Sequence, residues 1–227
     1  MVENSQLDQF RDILKRLGRS RLLGFALALV SFGLFLKLTF EITEDSKVGF
    51  LDRGILTWVG AHRVPSMNGI AVDITALGSP TIIVIGTLVG VILLLLSRNR
   101  WGAVYLAVGS AGAGIGTWSL KHLFSRDRPT LIPHLIDVSG SSYPSGHSFG
   151  ATAFYSLLMF ISWRHFQSAR SRSVLFALTS VIIGLVAISR IYLGVHFPSD
   201  VLSGVLLGSA WTCALTALFA KSGLSDA

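Results

Sequence analysis

Long apolar runs decide what this chain can become. Leu22–Phe40, Thr81–Ser97, Trp101–Leu120, Ser148–Trp163, Ser173–Ser189 and Val201–Ala220 are nearly free of charge. An α-helix needs about 20 apolar residues to cross the ~30 Å hydrocarbon core of a bilayer. In that core a helix satisfies every backbone N–H and C=O within its own segment. The first run follows a basic stretch, as in a secretory signal. It is too long for the apolar part of one, and no small-residue cleavage pattern follows it. The sequence therefore predicts an all-α protein, an integral membrane six-helix bundle. Charged residues make up 14% of the chain, against roughly 25% in ordinary soluble domains.

The remaining segments fit around that bundle. Residues 1–21 are polar and basic, with Leu7, Phe10, Ile13, Leu14 and Leu17 at helical spacing, which predicts an amphipathic segment on the inner membrane surface. Residues 22–220 form the spanning domain, and 221–227 a cytoplasmic tail. Within the domain, residues 41–80 carry two short amphipathic patterns. Leu51, Ile55, Trp58 and Val59 form one, and Met67, Ile70, Ile74 and Leu77 the other, with Pro65 between them. Both are too short to span, so they are expected as interfacial helices on the extracytoplasmic side, packed on the bundle or walling a lipid entrance. Small residues four apart, Gly109 with Ala113 and Gly204 with Gly208, allow close helix contact. The single cysteine, Cys213, lies within the last apolar run and can form no internal disulfide.

The net charge of +7 does not imply nucleic acid, because the basic residues flank apolar segments rather than forming a separate patch. Eleven Lys and Arg fall on the side of the termini and eight on the other, which also holds most of the acids. The positive-inside rule then places both termini in the cytoplasm.

Three polar clusters lie on the opposite side: Lys121–Pro129, Tyr143–Ser148 and Ser189–Asp200. Ionisable residues at the ends of membrane helices are costly unless they serve a function. Lys121 and Arg128 offer a point charge and a planar fork, both suited to phosphate oxygens. Arg126 and Asp127 read as a local ion pair or as loop solvation. Pro144-Ser145-Gly146-His147 opens an apolar run. Ser145 suits a helix N-cap, the Gly146 amide suits an anion site, and His147 suits a proton donor. Arg190 closes the fifth run. His196, Pro198 and Asp200 open the sixth, with Asp200 near enough to fix the His196 tautomer and leave one ring nitrogen as nucleophile. Two histidines and an aspartate would also suit zinc, but Lys121, Arg128 and Arg190 in one place would repel a divalent cation.

Lys-x6-Arg-Pro, Pro-Ser-Gly-His and Ser-Arg-x5-His-x3-Asp, in this order, resemble the three-part signature of the type 2 phosphatidic acid phosphatase (PAP2) family, related to the vanadium haloperoxidases. The resemblance implies a membrane lipid phosphatase that needs no metal or other cofactor. His196 would attack phosphorus and form a phosphohistidine, Asp200 would orient it, and His147 would protonate the leaving oxygen. Lys121, Arg128, Ser145, Gly146 and Arg190 would bind the phosphoryl oxygens. The substrate would be a lipid phosphate such as undecaprenyl pyrophosphate, phosphatidylglycerol phosphate or phosphatidic acid, on the outer face of the cytoplasmic membrane. Two alternatives stay open: a lipid A phosphatase or phosphotransferase, and a non-catalytic lipid-binding or lipid-transport protein of the same fold. Soluble haloperoxidase chemistry does not suit so apolar a chain, and oligomeric state is not legible in it.

Overall fold

The computed structural model describes residues 18–44 and 49–219. The expectations for residues 1–17 and 221–227 lie outside it. Among the described residues eight α-helices follow in order: α1 (Arg19–Glu44), α2 (Phe50–His62), α3 (Asn68–Ala76), α4 (Pro80–Leu96), α5 (Arg100–Phe124), α6 (Gly146–Ser162), α7 (Ala169–Tyr192) and α8 (Pro198–Phe219). Short 3-10 turns at Pro65–Met67 and Trp163–His165 precede α3 and follow α6. The described residues contain no strand.

Local sequence sets the helix ends. Ser79, Asn99, Ser145 and Ser168 cap α4, α5, α6 and α7 by accepting hydrogen bonds from Ile82, Gly102, Ser148 and Ser171 amides. Pro80 and Pro198 occupy the first helical position of α4 and α8, where the missing N–H is no loss.

Four helices, α1, α5, α7 and α8, are long and apolar enough to cross a membrane alone. The Pro65–Ala76 segment and α4, bent by 42° at their junction, form a fifth candidate. The sequence predicts six crossings, and length and composition establish four or five. The difference arises in α4 and α6, which have 17 residues each and are about 25 Å long at 1.5 Å per residue. Their apolar character is nonetheless plain. No residue of α4 is buried, and Ile82, Ile85, Val89, Ile92 and Leu96, which do not line the cavity described below, all face outward. So large an exposed apolar surface is incompatible with water and suits hydrocarbon.

The bundle closes around α6 and α8, the most buried helices. Tyr105 and Leu106 of α5, Phe154, Leu157 and Ile161 of α6, and Leu215 of α8 form the main core. Gly204 and Gly208 set the α6–α8 distance. A Cβ at Gly204 would lie 2.6 Å from the Ser145 carbonyl oxygen, and one at Gly208 would lie 2.6 Å from Thr152 Cβ. The small-residue spacing is thus a close-packing seam.

The short helices behave differently from their patterns in one respect. The Leu51–Ile55–Trp58 stripe of α2 points outward, while Asp52 and Leu56 are buried. Met67, Ile70 and Leu77 are likewise exposed, and Ala71 and Thr75 make the inward contacts of α3. An aspartate, a leucine outside the stripe, an alanine and a threonine carry the inward face, so the apolar stripes did not identify it.

Val at position 208 would overpack the seam, a class of change that costs about 1–3 kcal/mol. Gly208→Val is therefore expected to lower the thermal midpoint of the detergent-solubilised protein by several degrees. An unchanged midpoint would contradict the seam.

Candidate active site

The three polar clusters converge at one end of the bundle. Lys121 comes from the last turn of α5, His147 from the first turn of α6, Arg190 from the last turn of α7, and Asp200 from the first turn of α8. Arg128 and His196 come from the intervening loops. Lys121, Arg128, Gly146, His147, Arg190 and His196 line one cavity of about 670 Å³. Gly146 must be glycine for this geometry, because a Cβ there would lie 2.8 Å from Thr117 Cγ2.

The loop between α5 and α6 holds the cations in place with carbonyl oxygens. Lys121 Nζ donates to Ser141 O. Arg128 donates to Gly140 O at 3.0 Å, Ser139 O at 2.9 Å and Val195 O at 2.9 Å. Arg190 Nη1 donates to Thr75 Oγ1 at 2.8 Å, and its buried Nε has no partner among the described residues. Among the described residues, none of these three cations forms an ion pair with a carboxylate. Burial lowers the Arg128 pKa, with the Asp200 charge opposing, but an arginine stays charged in proteins. The result is concentrated positive charge with spare donors, an arrangement suited to an anion.

The dyad lies beside it. His196 is 2% exposed and Asp200 0%. His196 Nδ1 stands 3.5 Å from Asp200 Oδ2 and 3.3 Å from Ser142 Oγ. Ser142 Oγ in turn donates to Asp200 Oδ2. The carboxylate thus reaches the imidazole largely through the Ser142 hydroxyl, which accepts on one side and donates on the other. With Nδ1 facing this pair, Nε2 is the free nitrogen. Burial pushes the His196 pKa down to about 4 against the pull of Asp200, so the ring is neutral near pH 7.

Of the eight sequence-derived site residues, six line the cavity. Asp200 sits behind His196, and Ser145 spends its side chain on the α6 cap, accepting from Ser148 N and Oγ. Arg126 is not the local partner of Asp127. It donates to Asp200 Oδ1 and, at 3.2 Å, to Asp52 Oδ2, and its guanidinium lies 4.2 Å over the Phe197 ring. Ser142, Arg126, Asp52 and Thr75 were not among the sequence-derived candidates. All four act over contacts of more than fifty residues, for which no local pattern exists.

Three cations around one cavity, a buried histidine–carboxylate pair and a second histidine at a helix start are chemically suited to phosphoryl groups. Comparison with known proteins agrees. The PAP2 superfamily profile matches residues 102–224. Phosphatidylglycerophosphatase B of Bacillus subtilis is 31% identical over 185 residues, which are 79% of this chain and 88% of that protein. A putative undecaprenyl-diphosphatase, YbjG of Escherichia coli, is 32% identical over 120 residues, about half of each chain (50% and 54%). The crystal structure of the transmembrane PAP2-type phosphatidylglycerolphosphate phosphatase from Bacillus subtilis superposes with a TM-score of 0.78 at 28% identity, covering 86% of this chain and 96% of that one. The chain belongs to the PAP2 superfamily, as a multi-pass membrane phosphatase.

The anion site makes a prediction independent of turnover. Each charge-assisted hydrogen bond is worth about 1.5–3 kcal/mol. Arg190→Gln is therefore expected to weaken vanadate binding, measured by calorimetry on the purified protein, by roughly tenfold or more. Equal affinity in both proteins would remove Arg190 from the site.

Proposed function

We propose that this chain dephosphorylates a membrane lipid phosphate or pyrophosphate through a phosphohistidine intermediate, without a metal ion. The observation that carries the reading is the continuity of one cavity. Its polar end holds the cations and both histidines. From there it runs between α4 and α5 past Thr117, Gly114, Ala111 and Ala107, facing Ile83, Val84, Leu88 and Val91. Lys121 and Ala107 lie 14 residues apart on α5, about 21 Å along the helix axis. A ligand filling this space carries a phosphate at one end and a long apolar tail at the other.

His196 Nε2 attacks phosphorus in line while Lys121, Arg128, Arg190 and the Gly146 amide hold the equatorial oxygens. Phosphoryl transfer depends mainly on such positioning and charge stabilisation. His147 protonates the leaving oxygen, then takes a proton from the water that hydrolyses the phosphohistidine. Ser145 contributes by fixing the α6 terminus that presents Gly146 and His147. The cations, with no carboxylate partner among the described residues, neutralise the phosphoryl charge and would repel a divalent ion.

The relatives act, by name, on phosphatidylglycerophosphate and, putatively, undecaprenyl diphosphate, and a lipid A 1-phosphatase of Rhizobium johnstonii is also similar (30% identical over 134 residues). We infer the same substrate class here: a tail of acyl or prenyl chains bearing a terminal phosphate. Purified protein is expected to release phosphate from at least one lipid in a panel containing phosphatidylglycerol phosphate, undecaprenyl pyrophosphate, phosphatidic acid and lipid A. Release is expected to survive EDTA, stop with vanadate, and fall at least a thousandfold in His196→Ala. An inert wild type across the panel would favour a lipid-binding or lipid-transport role, and full activity in His196→Ala would exclude this mechanism.

The proposed topology has six crossings, α4 and α6 included, with both termini cytoplasmic and the site extracytoplasmic. The charge distribution between the two sides supports it. A cysteine placed at the exposed Asp137 should react with a membrane-impermeant reagent in intact cells, while one at Gln167 should not. The reverse pattern would invert the topology.

A further inference from the structure

We propose that Asp52 is a positioning residue for the reaction, acting through Arg126 on the orientation of Asp200; this rests on the phosphatase reading above. Asp52 is an anomaly on α2. It is 5% exposed on a helix whose neighbours Phe50 and Leu51 are 88% and 73% exposed. Its carboxylate is aimed at the start of α8. Oδ1 accepts from Ser199 N at 2.8 Å, and Oδ2 accepts from Ser199 Oγ and from Arg126 Nη2 at 3.2 Å. The other arm of the same guanidinium, Nη1, donates to Asp200 Oδ1 and to Ser199 Oγ at 2.9 Å.

One guanidinium is therefore shared between two buried carboxylates, one arm to each. An arginine facing a single carboxylate favours two parallel bonds to both of its oxygens. Asp52 prevents that arrangement by holding Nη2. Asp200 then gives only Oδ1 to Arg126. Its Oδ2 remains for the Phe197 amide at 2.9 Å, for Ser142 Oγ and for the His196 side. Without the charge at position 52, Nη2 is released and the guanidinium turns fully onto Asp200, drawing Oδ2 away from the Ser142–His196 link. Asp52 touches neither His196 nor the cavity, so its effect falls on the chemical step rather than on phosphate binding.

A purely structural role would have Asp52 pin α2 to α8 through Ser199. Asparagine separates the two roles, because it keeps an acceptor for Ser199 N but loses the charge that holds Arg126. Phosphate release by the full chain in detergent is the assay. Asp52→Asn is expected to lower kcat about tenfold, with KM within about twofold and little change in thermal midpoint. Arg126→Lys, a cation without the fork, is expected to show a similar kcat loss. The double variant Asp52→Asn/Arg126→Lys should be no slower than Arg126→Lys alone, because both changes break one linkage.

An Asp52→Asn protein with wild-type kcat, or a double variant whose losses multiply, would overturn the proposal while leaving the phosphatase reading intact. If Asp52→Asn does not fold, an Arg126→Lys protein with wild-type kcat overturns it equally. A wild type that releases no phosphate would remove the reaction itself, and the role of Asp52 with it.

Discussion

Three cations sharing one cavity without an acidic partner among the described residues are the constraint on which the rest of the site depends. Buried charge is stable only when it is paired or well hydrogen-bonded. Here the α5–α6 loop supplies the compensation as carbonyl oxygens of Ser139, Gly140 and Ser141, with Val195 and Thr75 completing the set. Carbonyl dipoles hold a cation in place without cancelling its charge. The loop therefore stabilises Lys121 and Arg128 and still leaves their charge for a ligand. A carboxylate at the same place would have stabilised the cations and abolished the site.

The negative charge that the site does contain is kept behind His196. Asp200 and Asp52 share Arg126, and Asp200 meets His196 with Ser142 between them. Cations face the cavity and carboxylates lie behind it, which is the polarity a phosphoryl transfer requires. The apolar helices act as the frame. Gly204 and Gly208 bring α8 against α6, so that the first turns of both helices, bearing Asp200 and His147, open at the same end.

Much of this was legible in the sequence, for identifiable reasons. Apolar runs encode membrane helices locally, so the positions of α1 and α4–α8 followed from them, although α4 and α6, at 17 residues each, sit at the short end of the spanning range. The cations and histidines stood out because charge is rare in such a chain. Arg126 was misread as a local partner of Asp127 because its true partners, Asp52 and Asp200, each lie 74 residues away. Ser142 carried no signal, since a serine in a polar loop is ordinary until the fold places it between His196 and Asp200. The α2 and α3 patterns located the helices but not their inward faces, which depend on Asp52, Leu56, Ala71 and Thr75, residues outside the apolar stripes.

In the proposed reaction this charge arrangement delivers phosphorus to His196. The most direct measurement is a rapid alkaline detergent quench of the purified protein during turnover of a lipid phosphate, followed by mass spectrometry of its peptides. A phosphoryl group on His196, stable to alkali and lost in acid, is the predicted result. A phosphoryl group on Ser142, Ser145 or His147, with His196 unmodified at every time point, would contradict the account.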